Sequence, residues 1–93
     1  MELPVLYDSL SIEEKKIVRE EYVRRQNNRC FFCGNSLLSS QPDDERINWE
    51  MFPGGKEGFL KYPVHLQHDH RTGMTEGAVH SICNALYWCL YGR

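Results

Sequence analysis

Apolar and polar positions follow two rhythms along this chain. From Ser11 to Gln26 charged residues dominate, while Ile17, Val18, Tyr22 and Val23 recur at the spacing of one helical face. Ser11-Ile12-Glu13-Glu14 is a capping-box sequence, so a helix is predicted over residues 11–26, ending before Asn27-Asn28. Residues 1–10 read as an extended or irregular lead, and the polar stretch 35–45 reads as loop. Arg46 to Phe52 and Phe59 to Tyr62 read as two short strands paired across the turn Pro53-Gly54-Gly55-Lys56-Glu57-Gly58. A strand is predicted from Val64 to His68, a turn over residues 69–75, and a returning strand from Glu76 to His80. A final helix runs from Ser81 or Ile82 to Tyr91, with Gly92 placed to end it and Leu86, Trp88, Leu90 and Tyr91 mostly in the core. The closing order, over residues 64–91, is strand, strand, helix. No repeat or domain boundary interrupts residues 1–93, so a single α+β domain is expected.

Composition adds a constraint. A chain of 93 residues has a thin core and commonly needs a metal or disulfide staple. Its four cysteines include the pair Cys30-Phe31-Phe32-Cys33, followed by Gly34. The start shows neither a basic segment nor an apolar core of a secretion signal, so metal ligation is favoured over disulfides and an intracellular location is expected. No apolar run is long enough to span a membrane, and none is expected to be a partner.

Net charge is −2, which alone does not favour a nucleic-acid partner. The distribution is more telling. Lys15, Lys16, Arg19, Arg24, Arg25 and Arg29 cluster against only Glu20 and Glu21, while residues 39–60 are acidic. Arg24, Arg25, Arg29 and Arg71 are the candidate phosphate contacts, with a solvated helix face as the equally weighted alternative.

The chemistry concentrates in His65-Leu66-Gln67-His68-Asp69-His70 and His80-Ser81-Ile82-Cys83-Asn84. His80 and Cys83, three residues apart, can close a four-ligand zinc site with Cys30 and Cys33, forming a knuckle over residues 30–34. Cys89 lies six residues beyond Cys83 on the predicted helix and faces elsewhere, so it is placed in the core. Histidine, carboxylate and amide side chains on a strand suit a hydrolytic metal site. Strand alternation puts Gln67 and Asp69 on one face and His68 and His70 on the other. His65 is assigned a structural or surface place.

These motifs, with Gly73 and Asn84-Ala85, resemble the phage recombination endonuclease VII family of HNH, or ββα-metal (His-Me finger), nucleases. The resemblance is tight over residues 64–88 and takes in Cys30 and Cys33; residues 39–60 have no counterpart. It implies a divalent-metal-dependent DNA endonuclease. His68 matches the general base, Asn84 a ligand of catalytic Mg2+ or Mn2+, and His70 a further active-site histidine. Cys30, Cys33 and Cys83 match ligands of structural zinc, and His80 stands where the family has a fourth cysteine. Gln67 stands where the family has a metal-binding aspartate, and Asp69 is expected to supply the missing charge directly or through water. Tyr87 stands where the family can have glutamate, and Glu76 where a basic residue is common.

The longer members continue into dimer-forming helices, and this chain stops at Arg93. The expectation is therefore a monomer that nicks one strand, or a pair assembled on DNA, leaving 5′-phosphate and 3′-hydroxyl ends. A phage or mobile-element setting would suit such an enzyme. The alternative from another class is a non-catalytic zinc module that binds nucleic acid or protein.

Overall fold

The computed structural model describes residues 1–92. Helix α1 spans Ile12–Arg25, short helix α2 Gly55–Phe59, strands β1 and β2 Val64–His68 and Thr75–His80, and helix α3 Ser81–Tyr91. Two 3-10 turns, Tyr7–Ser9 and Trp49–Met51, complete the regular structure of the described residues. This is a small α+β domain with one two-stranded antiparallel sheet.

Local signals place the long helices. Ser11 Oγ accepts from the Glu14 amide, while the Glu14 carboxylate accepts from the Ser11 amide, so the capping box closes as the sequence suggests. Glu14 is held below the usual carboxylate range by those Ser11 hydrogen bonds. Val18 and Tyr22, one turn apart, carry the buried face of α1. Ile17, expected in that stripe, is 52% exposed, because its position turns about 100° away from Val18. At the other end of the chain, Gly92 adopts a left-handed φ of 68° and ends α3 where predicted. Leu90 and Tyr91 are exposed, contrary to the expectation that they belong to the core.

β1 and β2 pair in the register Val64 to His80 through Gln67 to Gly77, and the register then breaks between Gln67 and His68. The residue left over at the break is Glu76 of β2, and consecutive β1 residues from Val64 to His68 line one cavity. The N-terminal lead is not loose. Tyr7 N–H donates to Gly73 O (2.8 Å), Thr75 N–H to Val5 O (2.9 Å), and Val5 N–H to Thr75 Oγ1 (3.0 Å), which lays the lead beside the start of β2.

Residues 46–62 correct the sequence reading. The expected hairpin is absent, and its place is taken by the Trp49–Met51 turn and α2. Asn48 Oδ1 caps the turn by accepting from the Glu50 amide (3.2 Å), Pro53 has no N–H to give a ladder, and Gly54 takes a left-handed φ of 80° before α2. The aromatic residues that suggested strands gather instead: Phe52 and Phe59 lie 4.4 Å apart, with Trp49 against both. They form a second apolar cluster with Ile47, Ala85, Leu86 and Trp88, separate from the main core around Val18, Tyr22, Leu66 and Val79. Cys89 packs at the edge of this second cluster.

Candidate metal centre and catalytic cavity

Two sites share the junction of β2 and α3. The first gathers Cys30, Cys33, His80 and Cys83, whose ligand atoms all lie within 4.8 Å of one another. His80 Nδ1 stands 3.4 Å from Cys33 Sγ and 3.6 Å from Cys83 Sγ. A tetrahedral zinc ion with its usual bond lengths to sulfur and nitrogen separates such atoms by about 3.6 Å, so the cluster fits the ion. Its surroundings are built for ligation. His80 Nε2 lies 2.7 Å from Ser36 O, which suits an N–H donor there and leaves Nδ1 for a metal. The amides of Phe32 and Cys33 approach Cys30 Sγ at 3.4 and 3.5 Å. Cys30 is lowered to about 4, chiefly by its hydrogen bond with Cys83, and Cys83 is pushed up by the same contact. Together the two thiols readily give one thiolate, and a cation is what makes further ionisation favourable.

The knuckle is anchored to the rest of the fold. Phe31 N–H donates to Ala78 O (3.0 Å). Gln26 joins three segments: its Oε1 accepts from the Ala78 amide (2.9 Å), and its Nε2 donates to Arg29 O (2.7 Å) and Ala78 O (2.9 Å). This close approach explains Gly77, where a Cβ would sit 2.8 Å from both Gln26 Oε1 and the Phe31 ring. Nothing in the local sequence pattern marks Gln26 for this work, since its partners are 3 and 52 residues away.

The second site is a cavity of about 560 Å3 between α1, β1, α3 and the segment around α2. His65, Gln67, His68, His70 and Asn84 line it, and α1 contributes Lys15 and Arg19. His68 is in contact with two other rings. Tyr7 stacks on it at 3.8 Å and 10°, His70 lies 4.4 Å away, and Trp88 abuts His70 edge-on at 4.3 Å. Lys15 Nζ caps the column, 4.3 Å from the Tyr7 centroid. Burial, then His70 and Lys15, hold His68 below its ordinary value against the opposing charges of Asp8 and Glu76, which favours the neutral ring. Burial does the same to His65, aided by the Arg19 charge.

Comparison with family models, with curated proteins and with solved structures found no match.

The geometry sorts the sequence-derived candidates. Gln67, His68, His70 and Asn84 do line one cavity. Asp69 does not line it. Its carboxylate turns into the β1–β2 loop, accepting from the Arg71 backbone amide (2.8 Å) and guanidinium (3.2 Å). Arg71 is thereby engaged too. Arg24 and Arg25 both bind Glu21 at 2.7 and 2.9 Å, and they hold its carboxylate down to about 2. Arg29 donates to Gly34 O (3.2 Å) in the knuckle. The cations that reach the cavity are instead Lys15 and Arg19. Tyr7 and His65 join the cavity without having been expected there. Tyr7 arrives through a long-range backbone pairing that no spacing rule encodes, whereas His65 was legible as the residue two before Gln67 on one strand face. Tyr87 packs against Phe32 and Tyr91 rather than lining the cavity.

Proposed function

We propose that this chain is a divalent-metal-dependent DNA endonuclease of the HNH, ββα-metal kind, built around a structural zinc ion at Cys30, Cys33, His80 and Cys83. One observation carries the reading: His68, its neutral form favoured and its ring in contact with Tyr7 and His70, shares a cavity with Gln67 and Asn84 beneath the cations Lys15 and Arg19. A base, amide oxygens and nearby positive charge are what phosphodiester hydrolysis needs. Asn84 lies in the first turn of α3, where the helix dipole adds to that positive field.

The roles follow from position. Lys15 and Arg19 draw the phosphate to the cavity. His68 takes a proton from a water, the resulting hydroxide oxygen bonds to phosphorus, and the bond to the 3′-oxygen breaks. That oxygen is protonated by solvent, leaving 5′-phosphate and 3′-hydroxyl ends. Gln67 and Asn84 offer amide oxygens to Mg2+ or Mn2+, which when bound stabilises charge on the phosphate. Cys83 and Asn84 are consecutive, so the zinc centre fixes where Asn84 stands relative to His68.

The test is plasmid nicking by zinc-loaded full chain with Mg2+ or Mn2+, beside His68→Ala. A monomer with one such cavity yields open-circle DNA before linear DNA, and a pair assembled on DNA makes both cuts. Direct conversion of supercoiled to linear plasmid overturns the monomeric form of the proposal.

A specific observation favours a second reading, a zinc module that binds nucleic acid without cutting it. No aspartate or glutamate is among the residues lining the cavity. Failure of parent and variant alike to convert plasmid, with one zinc per chain as the only bound metal, would establish that reading.

A further inference from the structure

The residues that line the cavity include two cations, three histidines and two amides, but no carboxylate. Gln67 is only 2% exposed, and its Oε1 has no hydrogen-bond partner. A buried acceptor in that state is costly unless something positive completes it. His65 lies two residues before Gln67, ahead of the register break, so both side chains leave the same face of β1. Across the cavity the Asn84 amide nitrogen stands 3.0 Å from His65 Nδ1. Turning that amide by 180° puts Oδ1 in the same place, and two lone pairs then converge. An octahedral ion with bonds of about 2.1 Å spaces adjacent ligand atoms by about 3.0 Å.

We propose that His65, Gln67 and Asn84 form an all-neutral cation site, one imidazole nitrogen and two amide oxygens, whose ion is held jointly with the phosphate it acts on. The phosphate being that of a substrate rests on the nuclease reading; the site itself does not. An imidazole ligand favours Mn2+, Co2+ or Ni2+ over Mg2+. Three neutral ligands leave the full charge of the ion near Lys15 and Arg19, so the ion alone binds weakly. A phosphate placed against the ion and both cations removes that repulsion. Linkage then requires the ion to tighten phosphate binding by the same factor that phosphate tightens the ion.

The experiment uses full-length chain loaded with one equivalent of zinc. Mn2+ binding is followed by electron paramagnetic resonance, with and without thymidine 3′,5′-bisphosphate, and nucleotide affinity is measured with and without Mn2+. Both affinities are expected to rise together, by about 10–100-fold. His65→Ala should lose at least about tenfold in Mn2+ affinity with nucleotide present, in the range for loss of one ligand-shell partner, with zinc content unchanged. Asp69→Asn should stay within about twofold of the parent, well below that loss. Gln67→Glu, nearly isosteric, should bind Mn2+ more tightly without nucleotide and show weaker coupling.

Equal Mn2+ affinity with and without nucleotide overturns the proposal, as does an unaltered His65→Ala or a loss confined to Asp69→Asn. The two readings fail separately. Plasmid nicking with uncoupled Mn2+ binding removes this site and leaves the nuclease. Coupled binding without nicking removes the nuclease and leaves the site.

Discussion

The cysteine cluster and the histidine cavity meet at adjacent residues, Cys83 and Asn84, yet they are held by opposite means. The cluster converges on a point through short sequence steps: two residues between Cys30 and Cys33, two between His80 and Cys83. Its donors are three thiols and an imidazole, a set that could hold a metal ion. The cavity is assembled from the N-terminal lead, α1, β1, α3 and the α2 segment, and its lining donors are neutral. It is shaped by stacked rings and burial. A metal ion held at the first site would stabilise the fold, and with it the cavity.

The largest effect should come from breaking the cluster. Apparent binding energies of structural zinc run about 10–16 kcal/mol, against about 5–15 kcal/mol for the whole stability of a domain. Chelation, or Cys83→Ser, should therefore abolish cooperative thermal unfolding and every cavity function together. A chelated chain that keeps its near-ultraviolet circular dichroism would show that the cavity stands without the cluster.

Breaking the cavity should do the reverse. His68→Ala should lower nicking by about 10²–10⁴ while zinc content and melting temperature stay close to the parent's. The pH profile follows from the same ring. Because His68 is held below its ordinary value, the base form is present at neutral pH, and the rate should fall as pH drops through that lowered value, below 6.5. A cation at Gln67 and Asn84 would move it the same way. A rising limb centred above 6.5 would count against His68 as the base.

A smaller effect is expected one residue further out. Tyr7 makes no bond that chemistry requires; it fixes the plane of His68 from 3.8 Å. Tyr7→Ala should cost about 10–100-fold in kcat, the scale of a misplaced reacting group, with metal binding preserved. Tyr7→Phe keeps the ring and should recover most of that loss. Equal losses in the two variants would assign the work to the hydroxyl instead.

The contrast between the two sites also explains what is legible in the sequence. The capping box, the knuckle, the β1–β2–α3 order and the cluster can be read because each rests on residues a few positions apart or on ligand spacing. The hairpin expected over 46–62 fails because aromatic density alone does not make strands: Asn48, Pro53 and Gly54 turn the backbone, and the rings pack on α3. Asp69 lies one residue past β1, where its carboxylate accepts from the Arg71 backbone amide and guanidinium, a contact that strand alternation alone does not announce. Tyr7, Gln26, Lys15 and Arg19 owe their places to tertiary packing, and no local pattern separates them from ordinary surface residues.

The basic residues sharpen the contrast at the smallest scale. Sequence density points to Arg24 and Arg25, but both are engaged by Glu21 at the far end of α1 from the cavity. Lys15 and Arg19 stand one turn apart and line the cavity itself. Removing one cation from a phosphate should reduce the slope of log affinity against log salt by about 0.9 on duplex DNA, or about 0.7 on single strands. Lys15→Gln and Arg19→Gln should each flatten the slope by about that amount. Arg24→Gln and Arg25→Gln should leave it unchanged, since exposed pairs of this kind add little and their charge is already neutralised locally. If the second pair of variants flattens the slope and the first does not, DNA lies along the C-terminal half of α1, and the cavity is not where the phosphate is held.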